Sequence, residues 1–193
     1  GKTSVAEAIG FSAGVTNRLG TVDDGTTLSD FTEVEKERKI SVSASLVSCE
    51  WKGVKMNVVD APGYADFIGD SKAALWAADN AVLTVHAQSG VEVGTDKAWG
   101  FSKEFGRPVI FLINHVDREQ ADFEGTLAAI QQHYGTGVAP LQIPVNTGVG
   151  FNQIVDVLHN KLYTYSMDGS GKAETGEVPA DLQDQVATIR EQL

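Results

Sequence analysis

A single cysteine, Cys49, excludes an intrachain disulfide and a cysteine-rich metal site. No apolar run is long enough to cross a bilayer and no signal-peptide pattern is present. Together these absences predict a soluble, cytoplasmic protein with no membrane partner. Positive charge is also scarce. Lys and Arg number 15 against 26 Asp and Glu, a net charge of −11 at pH 7. A basic groove for bare nucleic acid, and with it direct DNA binding, is not expected. Docking to a large ribonucleoprotein through other domains stays open.

The 193 residues allow one domain of ordinary size, or one domain plus part of another, and 42% hydrophobic content is enough for a core. Glycine is plentiful, with 20 residues, several at the ends of apolar runs where loop-borne ligand sites need them. The chain starts with "GKTSVAEAIG", which reads as a helix capped by Thr3 or Ser4 with Val5, Ala8 and Ile9 inward. Residues 10–30 read as a long mobile loop. Residues 33–39, "EVEKERK", suit a short helix, a loop that orders on binding, or a solvated surface run. From Ile40 to Leu46 apolar residues alternate with serines, predicting a strand with Ile40, Val42, Ala44 and Leu46 on one face. Lys52-Gly53 is the turn, and Val54 to Val59 the return strand.

Further on, helices are expected over 66–78, 95–105 and 123–134, and buried strands over 81–85 and 108–114. This alternation predicts a mostly parallel sheet with helices on both faces. Trp51 reads as packing. His86 and His133 lack partners at metal-ligand spacing and read as structural or surface residues. A short strand is expected at 141–145 and a helix from Phe151 with Ile154, Val155 and Leu158 inward. Residues 166–178 read as a loop or hairpin. Pro179 precedes a last helix with Leu182, Val186, Ile189 and Leu193 on one face.

Three marks carry chemistry. Gly1-Lys2-Thr3 matches the end of a G-x-x-x-x-G-K-[ST] phosphate loop, in which the lysine reaches the β/γ-phosphates and the hydroxyl binds Mg²⁺. A plain tail residue is the alternative for Lys2. Asp60-Ala61-Pro62-Gly63 ends an apolar strand, 58 residues after Lys2. Asp60 there suits Mg²⁺, through water, and the Gly63 N–H suits a γ-phosphate. Asn114-His115-Val116-Asp117 ends another strand, 54 residues after Asp60. A buried Asp117 carboxylate accepts from guanine N1–H and the amino group, a donor pair that adenine lacks. The order of the three predicts a P-loop GTPase. The Ser41 hydroxyl can complete the Mg²⁺ shell; a solvent-facing strand serine is the alternative.

With these residues in view, "GKTSVAEAI", "GTVDDGTTLSDFTEVEKERKISVSASLVSCEWKGVKMNVVDAPGYADFIGD" and "NHVD" resemble the G domain of translational GTPases, specifically the elongation factor G family. The tail "IPVNTGVGFNQIVDVLHNKLYTY … EVPADLQDQVATIREQL" is similar to the start of the subdomain inserted in that G domain. The tyrosine after Pro-Gly is most similar to an elongation factor G-like branch. The resemblance implies a P-loop NTPase fold, with residues 1–137 as an incomplete GTP-binding core and 138–193 as the beginning of the insertion. It implies Gly1, Lys2, Thr3 and Ser4 around phosphate, Asp24 to Ser41 and Asp60 to Asp70 as the two switches, and Asn114, His115 and Asp117 around guanine. Thr3, Ser41 and Asp60 are the implied Mg²⁺ residues. GTP and GDP are the implied substrate and product, and the ribosome the implied partner.

The sequence departs from the family pattern at several places. Ala61 replaces Thr and Tyr64 replaces the histidine that positions the attacking water; a phenol is a poor base but can orient water. Catalysis is accordingly expected to rest on Lys2, Gly63 and Tyr64, with efficiency in question. His115 replaces a lysine that packs over the base, and has less reach. Lys39 stands where glycine is common, and Ser41 where threonine is. The strand before the phosphate loop and the last guanine-contacting loop are expected outside residues 1–193, leaving sheet edges unpaired and the 193-residue chain marginally stable with little GTP turnover. Two other readings stay open: a GTP/GDP-binding regulatory module with little hydrolysis, and a ribosome-protection or release-factor-type GTPase.

Overall fold

A computed structural model of the chain describes residues 1–193. The elements in order are α1 (Lys2–Ser12), α2 (Glu33–Arg38), β1 (Ser45–Trp51), β2 (Val54–Asp60), a short 3-10 turn (Ala65–Phe67), α3 (Ile68–Ala77), β3 (Ala81–His86), α4 (Val93–Glu104), β4 (Val109–Asn114), α5 (Phe123–Tyr134), β5 (Gln142–Pro144), β6 (Gln153–Asp156), β7 (Lys161–Tyr165), β8 (Ala173–Gly176) and α6 (Gln183–Gln192). They divide into two compact units, Gly1–Thr84 with Glu92–Leu112, and Val85–Val91 with Ile113–Leu193.

Strand pairing corrects the expectation of a mostly parallel sheet. The strands form β1-β2, β3-β4 and β5-β6-β7-β8, and the β1-β2, β5-β6, β6-β7 and β7-β8 pairs are antiparallel. Only β3 and β4 run together: the Ala81 N–H donates to the Pro108 carbonyl and the Ala87 N–H to the Asn114 carbonyl, each at 2.9 Å. β3 and β4 are also not buried on both faces. In β3, Ala81, Leu83 and Val85 are buried while Val82 is exposed, the alternation of a half-covered strand.

In the first unit α1 packs on β1 and β2, and α3 on α4. The inward face of α1 is Thr3, Ala6, Glu7 and Gly10, not Val5, Ala8 and Ile9. Its helical spacing was hidden because two of the four members are polar. Gly10 sits where a Cβ would come within 2.9 Å of Leu28 Cδ1 and 3.4 Å of Val47 Cγ1, so its lack of a side chain lets α1 approach. Helix α1 has Gly1 as N-cap and no side-chain cap, so Thr3 and Ser4 do not cap it.

The β1-β2 hairpin turns at Lys52 and Gly53, both with positive φ (51° and 79°), as a two-residue turn matched to strand twist requires. The strand starts at Ser45, not Ile40, and its phase is the reverse of the alternation read from sequence. Val47 and Cys49 are buried and Leu46 is 62% exposed. The cause is upstream. Glu35 Oε1 accepts the Val42 and Ser43 N–H groups (3.0 and 3.3 Å), and Asp70 Oδ2 accepts that of Ala44 (3.1 Å). Those donors are withdrawn from any sheet ladder. Trp51, read as packing, is partly exposed beside the turn. In α3 no residue is fully buried, and Ala74 and Leu75 are only half covered.

The second unit has its own apolar core. Phe123, Ile143, Val155, Val157, Val178, Val186 and Ile189 cluster there. Helix α5 has the expected bounds and is capped by Asp122, whose Oδ1 accepts the Gly125 N–H at 2.8 Å. The expected helix from Phe151 is instead the β6-β7 hairpin. Ile154 and Val155 are β-branched, Asn160 adopts φ +53°, and the Asp156 carboxylate accepts the His159 N–H at 2.9 Å. These fix a turn where the spacing of Phe151, Ile154, Val155 and Leu158 had suggested a helical face. Of the two readings left open for 166–178, the hairpin is the observed one, since β8 pairs with β7. Helix α6 follows Pro179 with Val186 and Ile189 buried and Leu193 exposed.

Candidate functional site

In the first unit, the residues predicted around phosphate and Mg²⁺ converge. Thr3 Oγ1 and Ser41 Oγ lie 3.1 Å apart, and the Ser41 hydroxyl donates to Asp30 Oδ1 at 2.7 Å. A hydroxyl has one proton, so Thr3 donates to Ser41 and the order is Thr3 to Ser41 to Asp30. Ser41 is therefore not a solvent-facing strand residue. Asp60 closes β2 and is 4% exposed. Its Oδ2 has no hydrogen-bond partner, nor have the buried Asp30 Oδ2 and Ser29 Oγ. Three oxygens close together without partners call for a water, an ion or another donor beside them. Burial pushes the Asp60 carboxyl above its ordinary range. The Thr3 and Ser29 hydroxyls and the Lys2 ammonium oppose this, and the Asp30 charge adds to it. Both hydroxyls act here by proximity, because Ser29 Oγ meets no hydrogen-bond geometry and the Thr3 proton is committed to Ser41.

Lys2 lies against Gly63. A Cβ built on Gly63 would come within 2.5 Å of Lys2 Nζ. The turn bearing Gly63 is tied down by the Ser71 hydroxyl, which donates to the Pro62 carbonyl at 2.6 Å. Tyr64, next in line, is 57% exposed. The backbone N–H groups at the start of α1 carry no side-chain cap, an arrangement that suits an anion.

Sequence reasoning missed three residues here. Residues 10–30, read as a mobile loop, bury Gly20, Thr27, Ser29 and Asp30. Their anchor is Glu7 on α1, whose carboxylate accepts the Gly20 N–H (2.9 Å) and the Leu28 N–H (2.6 Å). No sequence pattern points to Asp30 or Glu7. Glu35 did leave a signal, because Thr32-x-x-Glu35 is a capping box, observed in full at the start of α2. Residues 33–39 are thus a helix ending in Lys39, with a buried glutamate inside. Burial tends to raise the Glu35 pKa. The bonds from Thr32, Val42 and Ser43 outweigh it and hold the carboxyl below its ordinary value. Lys39 adopts φ +56°, the left-handed region in which glycine is at home, at a cost of about 1 kcal/mol.

Mg²⁺ fits this donor set. Neighbouring oxygen ligands of an octahedral Mg²⁺ stand about 3.0 Å apart, since each bond is about 2.1 Å. The Thr3–Ser41 separation of 3.1 Å matches one such edge.

The residues predicted around a base lie in the second unit. Asn114 ends β4, and its Oδ1 accepts the His115 N–H at 2.8 Å. His115 has φ +62° and stacks on His86, centroids 4.4 Å apart and planes 24° apart. Burial lowers the His115 pKa from its ordinary value, and His86 and Arg118 lower it further. The Gly148 N–H donates to the Val116 carbonyl at 2.7 Å, bracing the loop. Asp117 was expected to be a buried acceptor. Its side chain is 61% exposed, with Arg118 Nε 4.0 Å away. His133 lies at the end of α5 with its ring tilted against Tyr134.

Residues 1–189 match the family model described as the elongation factor Tu GTP binding domain. The chain is 34% identical over 193 residues to elongation factor G of Mycoplasma pneumoniae, covering 100% of this chain and 28% of that protein. It is 35% identical over 190 residues to elongation factor G 2 of Streptomyces coelicolor, covering 98% and 28%. A crystal structure from Thermus thermophilus matches with a TM-score of 0.92 and 32% identity, covering 100% of this chain and 28% of that one. The chain thus spans 28% of the length of these relatives. No helix is long and apolar enough to cross a membrane. The α/β fold is of the P-loop GTPase type, and the chain belongs to the family of the elongation factor Tu GTP-binding domain.

Proposed function

We propose that the chain binds GTP and GDP with Mg²⁺ and hydrolyses GTP as the G domain of an elongation factor G-like translation factor, acting on the ribosome in the cytoplasm. The observation that carries this is the meeting of Thr3, Ser41, Asp30 and Asp60 around orphaned buried oxygens, beside Lys2 and Gly63. In this reading Gly1, Lys2, Thr3 and Ser4 cradle the phosphates, and Lys2 turns from Gly63 toward the β/γ-phosphates. Thr3 and Ser41 would hold Mg²⁺, with Asp60 and Asp30 supporting it. Bound there, the ion neutralises charge on the transferring phosphoryl group and fixes its orientation. The Gly63 N–H bonds the γ-phosphate, and Tyr64 orients the attacking water. Asn114, His115 and Asp117 take the guanine; the exposed Asp117 carboxylate closes on the base only when the base arrives. Residues 1–137 serve as the nucleotide core and 138–193 begin the inserted subdomain.

A second reading, a GTP/GDP-binding module with little hydrolysis, is favoured by Tyr64, exposed and in place of a base. One experiment separates the two. Nucleotide affinity is titrated with and without Mg²⁺, and single-turnover hydrolysis is followed with and without ribosomes for the native chain and Tyr64→His. Mg²⁺-dependent binding with ribosome-stimulated hydrolysis, raised about 10- to 100-fold in Tyr64→His, is the expected result. Binding without stimulation in either protein selects the binding module. Absence of Mg²⁺-dependent binding overturns both readings.

A further inference from the structure

His115 occupies a costly conformation. Its φ of +62° lies in the left-handed region, where a residue with a Cβ is strained by about 1–2 kcal/mol unless its surroundings hold it. Two things hold it. Asn114 Oδ1 accepts its backbone N–H, and the His86 ring lies stacked on its own. His86 is itself fixed. The Gln88 N–H donates to His86 Nδ1 at 3.1 Å, leaving Nε2 to carry the ring proton, and the Gly90 N–H donates to the His86 carbonyl at 2.9 Å. The next residue, Ala87, is fully buried and its N–H is bonded to the Asn114 carbonyl. The ends of β3 and β4 are thus locked side by side where the two rings meet. Both rings are only half-buried, so the stack keeps solvent-facing surface.

We propose that His86 is a positioning residue of the base end, backing His115 so that the two imidazoles form one rigid stacking platform for a purine ring. This rests on the guanine-binding reading above. A lysine at position 115 would cover a base with a long flexible stem; an imidazole reaches less far and works only if its plane is set in advance. His86 sets that plane. Face-to-face contact with a fixed flat ring lowers the ordering cost of binding and favours a heteroaromatic base.

The test compares the native chain with His86→Ala, His86→Leu and His86→Phe, by calorimetric titration with GDP and separately with inorganic pyrophosphate in Mg²⁺. Expected is a loss of roughly 3- to 10-fold in GDP affinity for Ala and Leu, with Phe within 2-fold of native. Pyrophosphate affinity is expected to be unchanged in all three. The His115 ring-proton resonances are expected to move upfield on GDP addition in the native and Phe proteins and to move less in Ala. Equal GDP affinity in Leu and Phe overturns the proposal, because packing volume alone then explains the contact. So does native affinity in every variant, or a loss that is the same for pyrophosphate. If the native chain binds no GDP, the guanine-binding reading falls and this inference with it; if it binds GDP but ignores His86, only this inference falls.

Discussion

In the second unit the innermost side chains include Val85, Val155, Val157, Val186 and Ile130; in the first they include Glu7, Glu35 and Ser29, with Asp60 and Asp30 close behind. The valines need nothing more than each other. The acids need partners, and they divide into two kinds. Both oxygens of Glu7 and of Glu35 accept backbone N–H groups, and Glu35 accepts the Thr32 hydroxyl as well. Asp60 and Asp30 each keep an oxygen with no partner. A region whose inner groups are all satisfied and a region with acceptors left over therefore stand in one chain, and the difference lies in unspent acceptors, not in the amount of burial.

The contrast is broken most directly by charge in the apolar region. Val155 has 0% exposure, so Val155→Asp is expected to cost about 4 kcal/mol or more, read by urea unfolding. A cost under about 1 kcal/mol would mean that this core is not the one that holds the unit. Asp60→Asn is expected to do the opposite in the metal-free protein, raising stability by about 1–2 kcal/mol, or several degrees in Tm. The same substitution should weaken Mg²⁺-dependent GDP binding by about 10-fold or more. The sign follows from the raised Asp60 pKa. The fold favours the protonated acid, so its contribution is present below the unfolded value and is lost as pH rises through the folded one. Metal-free native protein should lose stability across that window, and Asp60→Asn should flatten the loss; a parallel profile for both proteins refutes the assignment.

Glu35 tests the satisfied kind of acid. Its pKa is depressed, so its contribution is present above the unfolded value and is lost as pH falls through the folded one. Glu35→Gln is expected to cost about 1–2 kcal/mol at neutral pH and progressively less in acid. A cost that does not change with pH would show that shape alone matters there. The smallest effect is expected at Leu46, on the outer face of β1, where Leu46→Ser should stay within about 0.5 kcal/mol while the buried neighbour Val47→Ser costs several times more. Equal costs would restore the register suggested by the serine alternation.

That register shows where sequence reading reached its limit. The hairpin turn at Lys52-Gly53, the bounds of α5 and the convergence of Thr3, Ser41 and Asp60 were legible, because each rests on local chemistry or on a motif. The starting point of β1 was not. It is decided by carboxylates at positions 35 and 70, distant in sequence, that take the N–H groups a longer strand would use. The β6-β7 hairpin was misread for a related reason: four apolar residues fit a helical face, but pairing with β5 and β8 decided the backbone. Asp30 and Glu7 were invisible because buried acids in a polar stretch look like surface acids until the fold is known. The motif predicted a buried Asp117 carboxylate, and its exposure was not legible.

The capping box of α2 has a consequence for timing. One carboxylate, that of Glu35, accepts from the Thr32 N–H and hydroxyl through Oε2 and from the Val42 and Ser43 N–H groups through Oε1. The start of the helix and the backbone just past Ser41 therefore share a single pin. A six-residue helix has little cooperativity of its own to survive the loss of that pin. Loss of that one carboxylate would therefore free the start of α2 and the backbone beside Ser41 together, not one after the other.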